Sequence, residues 1–159
     1  MRKVTKTAPA KINLGLDVTG TRLDGYHLLE TVFQAVSIAD TVTVELTDTP
    51  DIALTCDVAG VPCSPKNIAW KAAQRYLDAA GLTDGVQIHI EKRIPMEAGM
   101  GGGSTDGAAV LLALQELTGN ALSMDKLAEI AVSLGADVPF FLYGGTAYAA
   151  GIGEKLEKL

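Results

Sequence analysis

A chain of 159 residues makes one ordinary domain or one part of a longer protein, and an apolar content of 48% excludes disorder. A net charge of −6 disfavours nucleic acid as a partner, because non-specific binding there depends on Lys and Arg neutralising phosphates. No apolar run reaches the roughly 18 residues of a membrane span, and Met1-Arg2-Lys3 leads into no signal core, so the reading is a cytoplasmic protein without a membrane partner.

Residues 4–19 mix β-branched residues with the alternation Ile12, Leu14, Leu16, which predicts a strand with a break near Pro9. Lys11 falls within that run on the face opposite Ile12. Residues 20–25 read as a turn, with Asp24-Gly25 its strongest signal, and Tyr26-His27 follow directly. Val32–Val36 and Thr41–Thr47 predict two strands separated by Ala39-Asp40, and Ile52–Val58 a third that ends in the Gly60–Pro65 loop. Cys56 and Cys63 have six residues between them, with His27 and His89 far apart. That spacing fits no zinc site, and a cytoplasmic protein keeps such thiols reduced.

Asn67 opens a helix running to about Ala80, with Ile68, Ala72, Ala73, Tyr76 and Leu77 as its apolar face and Gly81 as its stop. Val86, Ile88 and Ile90 alternate in a strand that feeds the stretch Ile94–Asp106. A helix is expected from Ser104 to near Gly119 and another from Ser123 to Gly135. Thr146–Ala150 predicts a last strand, and the chain ends in Gly151-Ile152-Gly153-Glu154 and a charged tail. Strands first and strand–helix alternation later give an α+β class, a mixed sheet with helices on one side.

The stretch from Ile94 to Asp106 has four glycines within five residues, followed by Ser104-Thr105-Asp106 and a run rich in Ala and Leu. Glycine allows close backbone approach, and Ser104 or Thr105 can cap the helix that follows. A glycine run opening a helix is a recipe for holding phosphate; a flexible turn before an ordinary helix is the plainer alternative. The Walker pattern is excluded because Gly103, not Lys, precedes Ser104, and the dinucleotide pattern because Ser104 occupies its last glycine position. Asp137 lies between Gly135 and the apolar Val138-Pro139-Phe140-Phe141. A carboxylate in that company needs a partner; Lys11 is one, and capping of the short Pro139–Phe141 turn is the other use open to it.

Three separated stretches, Pro9-Ala10-Lys11-Ile12-Asn13-Leu14, Pro95 to Ala109 and Gly135-Ala136-Asp137-Val138-Pro139, together resemble the GHMP small-molecule kinases. Asp24-Gly25-Tyr26-His27, Gly101-Gly102-Gly103-Ser104 and Gly151-Ile152-Gly153-Glu154 resemble the branch whose alcohol substrate is a diphosphocytidyl methylerythritol. The similarity spans essentially the whole chain, and it implies the ribosomal-S5-domain-2-like α+β fold, a mixed sheet backed by helices. It further implies that residues 1–159 are the N-terminal ATP-binding and catalytic domain, with the family's C-terminal domain absent from this chain. The implied reaction is ATP-dependent phosphorylation of an alcohol in isoprenoid precursor synthesis, with Mg²⁺ accompanying ATP and Ser104 as its one candidate protein ligand.

By the same resemblance, Pro95, Gly99, Gly101, Gly102, Gly103, Ser104 and Thr105 would wrap the ATP phosphates, while Asn67 and Ile68 would line the adenine pocket. Asp137 would accept the proton of the substrate hydroxyl, and Lys11 would pair with it and stabilise developing charge. Asn13 would contact the methylerythritol or phosphate region, and Tyr26 and His27 would stack on and hydrogen-bond the cytosine. Met100, Thr105 and Gly107 depart from the usual Leu, Ser and Ala; Gly107 would weaken its helix by up to about 1 kcal/mol. Homoserine, mevalonate or a sugar are the alternative acceptors, and Tyr26-His27 discriminates because these offer no base to stack upon. An inactive nucleotide-binding fragment is a further alternative, and a non-catalytic RNA-binding module on the same scaffold is disfavoured by the acidic balance. The pattern specifies no oligomeric state.

Overall fold

The computed structural model describes residues 2–159. In chain order the elements are β1 (Lys3–Thr21), β2 (His27–Thr47), β3 (Ile52–Cys56), α1 (Ile68–Ala80), β4 (Gly85–Glu91), α2 (Gly102–Leu117), α3 (Met124–Leu134), α4 (Val138–Tyr143), β5 (Thr146–Ala150) and β6 (Lys155–Lys158). The six strands form one mixed sheet. Its frame is the antiparallel pair β1–β2, joined by the Asp24-Gly25 turn. The other edge of β2 is shared: Thr41–Thr47 pairs with β4, and Thr31–Gln34 pairs with β5. β3 lies parallel to β4 because the two are joined through α1 rather than a hairpin, and β6 pairs with β5.

Alternation sets the core. Val86, Ile88 and Ile90 of β4 point inward while Gln87, His89 and Glu91 point to solvent, and Val42 and Val44 of β2 share the inward phase. Each such buried side chain contributes roughly 1.5–3 kcal/mol. α1 buries Ala69, Ala72, Ala73, Tyr76 and Leu77, is capped by the Asn67 side chain and stops at left-handed Gly81, close to expectation. α2 is buried from Thr105 to Gln115, apart from half-buried Leu112, because it lies centrally, between the sheet and the other helices. The fold is α+β, as the sequence predicts.

Several boundaries differ from the sequence reading; β2 already begins at His27, β3 ends at Cys56, and the Pro139–Phe141 turn is part of α4. β2 is a single strand that continues through Ala39-Asp40, still paired with Pro9 and Ala8. Asp40 takes the inward phase of Val42 and stays in the strand because its carboxylate accepts the backbone N–H groups of Arg93 and Ile94. The expected break in β1 is a register shift between Pro9 and Lys11, which puts Ala10 and Lys11 in consecutive buried positions. α2 begins at Gly102, so neither Ser104 nor Thr105 caps it; left-handed Gly101 occupies the cap position. The charged tail, for which the sequence predicts no element, forms β6 over Lys155–Lys158. Among the described residues no helix is long and apolar enough to cross a membrane.

Candidate active site

The bulge at Pro9 turns Lys11 out of the strand alternation and into the protein, where it is 6% exposed. Its backbone N–H donates to the Met100 carbonyl, which ties β1 to the glycine stretch. Its ammonium donates to Asn13 Oδ1 at 2.7 Å, sits 5.0 Å from the centre of the Phe33 ring, and lies 4.0 Å from Asp137 Oδ2. Asn13 in turn donates to Thr31 Oγ1 at 2.9 Å. Asp137 stands at the N-cap position of α4, yet its side chain makes no capping hydrogen bond. The capping alternative therefore falls away, and the carboxylate is left partly open beside the Lys11 ammonium.

Two turns close on this pair. A Cβ on Gly101 would lie 2.6 Å from the Phe141 ring and 3.4 Å from Lys11 Cγ, so the glycine stretch reaches the pair only because position 101 has no side chain. A Cβ on Gly153 would come within 3.4 Å of Asp137 Oδ1, which brings the Gly151–Glu154 turn to the other side. Lys11, Asp137, the glycine stretch and the C-terminal glycine turn thus meet in space, although they span most of the chain.

The glycine stretch itself forms a cradle. Glu97, Gly99 and Gly101 take left-handed φ values of 58°, 72° and 75°, alternating with residues that do not. Such alternation aims successive N–H groups into one concavity, a binding place for anions. Next to it, the Thr105 N–H is already bonded to the Gly101 carbonyl, while Gly102, Gly103 and Ser104 hold N–H groups without intrahelical acceptors. A cleft of about 410 Å³ opens onto them, lined also by Lys66, Asn67, Ile68, Pro95 and Met96. Asn67 shapes one wall with both ends of its amide: Oδ1 accepts the Ala69 N–H, and Nδ2 donates to the Pro62 carbonyl at 2.9 Å.

Three expected site residues are not at the cleft. Thr105 is 1% exposed and packs into the core below it. Tyr26 and His27 lie at the far end of the β1–β2 ribbon, where Thr21 pairs with His27. There Tyr26 N–H donates to Asp24 Oδ1, His27 Nδ1 lies 3.2 Å from Thr21 Oγ1, and the Tyr26 ring is more than half exposed.

Sequence reasoning missed a largely buried charge cluster at the floor of the cleft, which Lys92 and Asp106 help to line. Lys92 Nζ donates to Asp40 Oδ2 at 2.6 Å and to Asp106 Oδ2 at 3.0 Å. Burial tends to lower the Lys92 pKa, but the two carboxylates outweigh it and hold the ammonium above its ordinary range. Burial and then the neighbouring Asp40 push the Asp106 carboxyl up to about 8 against the pull of Lys92. For Asp40 burial acts upward too, but contacts from Asp106, Ile94, Lys92 and Arg93 leave it below its ordinary value. A signal was present: Asp106 leads directly into the apolar run Gly107–Leu114, Asp40 sits between two β-branched stretches, and buried carboxylates need partners.

Comparison with known proteins then bears on this geometry. Residues 67–145 match the model of the GHMP kinases N terminal domain. A curated relative from Geobacter metallireducens, a 4-diphosphocytidyl-2-C-methyl-D-erythritol kinase, is 51% identical over 98% of this chain. The chain belongs to the GHMP kinases. A second GHMP relative of the same name, from Clostridium tetani, is 47% identical over 96% of the chain. A crystal structure of 4-(cytidine 5'-diphospho)-2C-methyl-D-erythritol kinase superimposes with a TM-score of 0.83, at 47% identity over 98% of the chain. A homoserine kinase from Cytophaga hutchinsonii superimposes at 0.76 with 24% identity, a likeness of fold alone. This GHMP domain spans 56% and 54% of the two curated relatives' own lengths, and 55% and 52% of the two solved chains.

Proposed function

We propose that this chain carries the nucleotide site and catalytic pair of an ATP-dependent kinase acting on 4-diphosphocytidyl-2-C-methyl-D-erythritol, on the non-mevalonate route to isoprenoid precursors. The observation that carries the chemistry is the Lys11–Asp137 pair, 4.0 Å apart beside the glycine cradle. Relatives near 50% identity that bear this enzyme's name support the choice of acceptor.

The residues fit a nucleotide. Free N–H groups of Gly102, Gly103 and Ser104 at the positive end of a 16-residue helix suit a polyphosphate. Asn67, Ile68, Pro95 and Met96 offer a mostly apolar wall for a base. Phosphoryl transfer asks the protein chiefly for positioning and charge stabilisation. Asp137 takes the proton of the acceptor hydroxyl as that oxygen attacks the terminal phosphoryl group, and Lys11 offsets the charge that develops. Asn13 fixes the Lys11 ammonium from the far side and is in reach of the same acceptor. Mg²⁺ with ATP would neutralise phosphate charge, held mainly by phosphates and water with the Ser104 hydroxyl, since the described residues contain no group of three or more metal-ligating side chains. Tyr26 supplies an exposed ring for the cytosine, and His27 a hydrogen-bonding edge.

The test is ADP release with the cytidyl alcohol, homoserine and mevalonate as competing acceptors. It is run on this chain and on the chain completed by the C-terminal half of the Geobacter relative. Turnover of the completed chain with the cytidyl alcohol alone is expected. Turnover with another alcohol would keep the catalytic pair and overturn the acceptor; no turnover from a folded completed chain would overturn the kinase reading.

A further inference from the structure

Glycine at position 102 has no conformational cause, for its φ is not positive, unlike those of Gly99 and Gly101. Its cause is a neighbour. A Cβ there would lie 3.1 Å from Lys92 Nζ and 3.4 Å from Ile94 Cγ2, so the missing side chain lets an ammonium sit against the first turn of α2. That is a poor place for a cation, because the helix N-terminus is already the positive end of a dipole. Asp40 and Asp106 offset it, and all three side chains are nearly out of water.

The cluster also joins three parts of the chain at one point. Asp40 belongs to β2, and its Oδ1 accepts the N–H groups of Arg93 and Ile94, the residues that lead into the glycine stretch. Asp106 belongs to α2, whose first residues close that stretch. Lys92 bridges the two carboxylates, so the entry and the exit of the cradle are fixed to each other and to the sheet. Stability alone does not account for the arrangement. Apolar residues of similar size commonly serve a fold as well as a buried ion pair, and Asp106 Oδ1 remains buried without a hydrogen-bond partner.

We infer that Lys92, held between Asp40 and Asp106, is a positioning residue that presets the glycine stretch in its phosphate-binding shape before nucleotide arrives. The inference rests on the nucleotide reading of the cradle. Preorganisation of this kind raises affinity by removing the ordering that binding would otherwise require.

The test uses the double variant Asp40→Asn/Lys92→Met, which removes one charge of each sign and keeps an oxygen at position 40 for the Arg93 and Ile94 N–H groups. Three quantities are measured: amide exchange of residues 97–104 without nucleotide, ATP affinity by calorimetry, and the thermal midpoint. Amide exchange in the cradle should quicken about tenfold and ATP affinity fall about tenfold, with the midpoint nearly unchanged. Should the double variant not fold, Asp106→Leu keeps the Asp40–Lys92 ion pair, releases Lys92 from α2, and is read in the same way. A folded variant with unchanged exchange and affinity would overturn the inference. Weaker binding with unchanged exchange would overturn it too, by making Lys92 a direct contact. If the parent protein itself bound no ATP, the nucleotide reading would fail first and take the positioning role with it.

Discussion

At Gly101 two demands coincide. Its φ of 75° disfavours any side chain, and the Phe141 ring occupies the space a Cβ would take. Gly101→Ala should therefore destabilise the protein by roughly 1–3 kcal/mol, through strain and overpacking, and distort the cradle beside Lys11. Chemical denaturation would register this as a lower midpoint, and an unchanged midpoint would refute the packing account. Asp106 supports a second prediction, about pH. Its carboxyl is raised to about 8, so between about 4 and 8 the folded state holds a proton that the unfolded chain has lost. Stability tied to Asp106 is then complete below the unfolded value and is lost as pH rises through that window. Asp106→Asn removes this dependence. In metal-free buffer its stability relative to the parent should improve from pH 5 to pH 8, by up to about 1.4 kcal/mol per pH unit, and level off above. Parallel stability curves would contradict the shift.

Between elements, the contact of α1 with α2 reverses an expectation based on helix propensity. Gly107 looks like a weak point in α2, yet a Cβ there would lie 2.6 Å from Ile68 Cγ2. The glycine is what allows the two helices to approach. Gly107→Ala alone should fail to stabilise and cost about 1 kcal/mol, whereas paired with Ile68→Leu, which removes the branched methyl, it should recover up to about 1 kcal/mol of helix propensity. A double-mutant cycle measures the coupling, and additive effects would count against this contact. The same contrast marks what the sequence made legible. The α1 face, the β4 alternation and the Gly81 stop follow from local periodicity and capping, and all three stand in the structure. The continuity of β2 through Asp40, the start of α2 at Gly102 and the pairing of β6 depend on partners far along the chain, which no local pattern carries.

Across the whole molecule, the glycine stretch, Lys11 and Asp137 were each visible in the sequence, but their meeting was implied only by the family resemblance and by no local pattern. It needs the Pro9 bulge, the bare Gly101 and the unengaged Asp137 side chain together. The Lys92 cluster stayed hidden because its three members come from a strand, a loop and a helix. Tyr26 stands nine residues along the ribbon from Ala35, the residue paired with Lys11, so recognition of the cytidyl end and binding of ATP should separate. In the completed chain, Tyr26→Ala should raise KM for the cytidyl alcohol at least about tenfold, the order of one lost stacking contact, while KM for ATP stays within about twofold. Equal losses for both would remove Tyr26 from acceptor recognition. The central claim, that Asp137 beside Lys11 accepts the proton in phosphoryl transfer, is tested most directly by Asp137→Asn in the completed chain, with transfer rate and ATP affinity measured on the same protein. The account predicts a loss of transfer of roughly 10²–10⁴-fold with ATP affinity nearly intact, because the base acts on the other reactant. Near-normal transfer by that variant would contradict it.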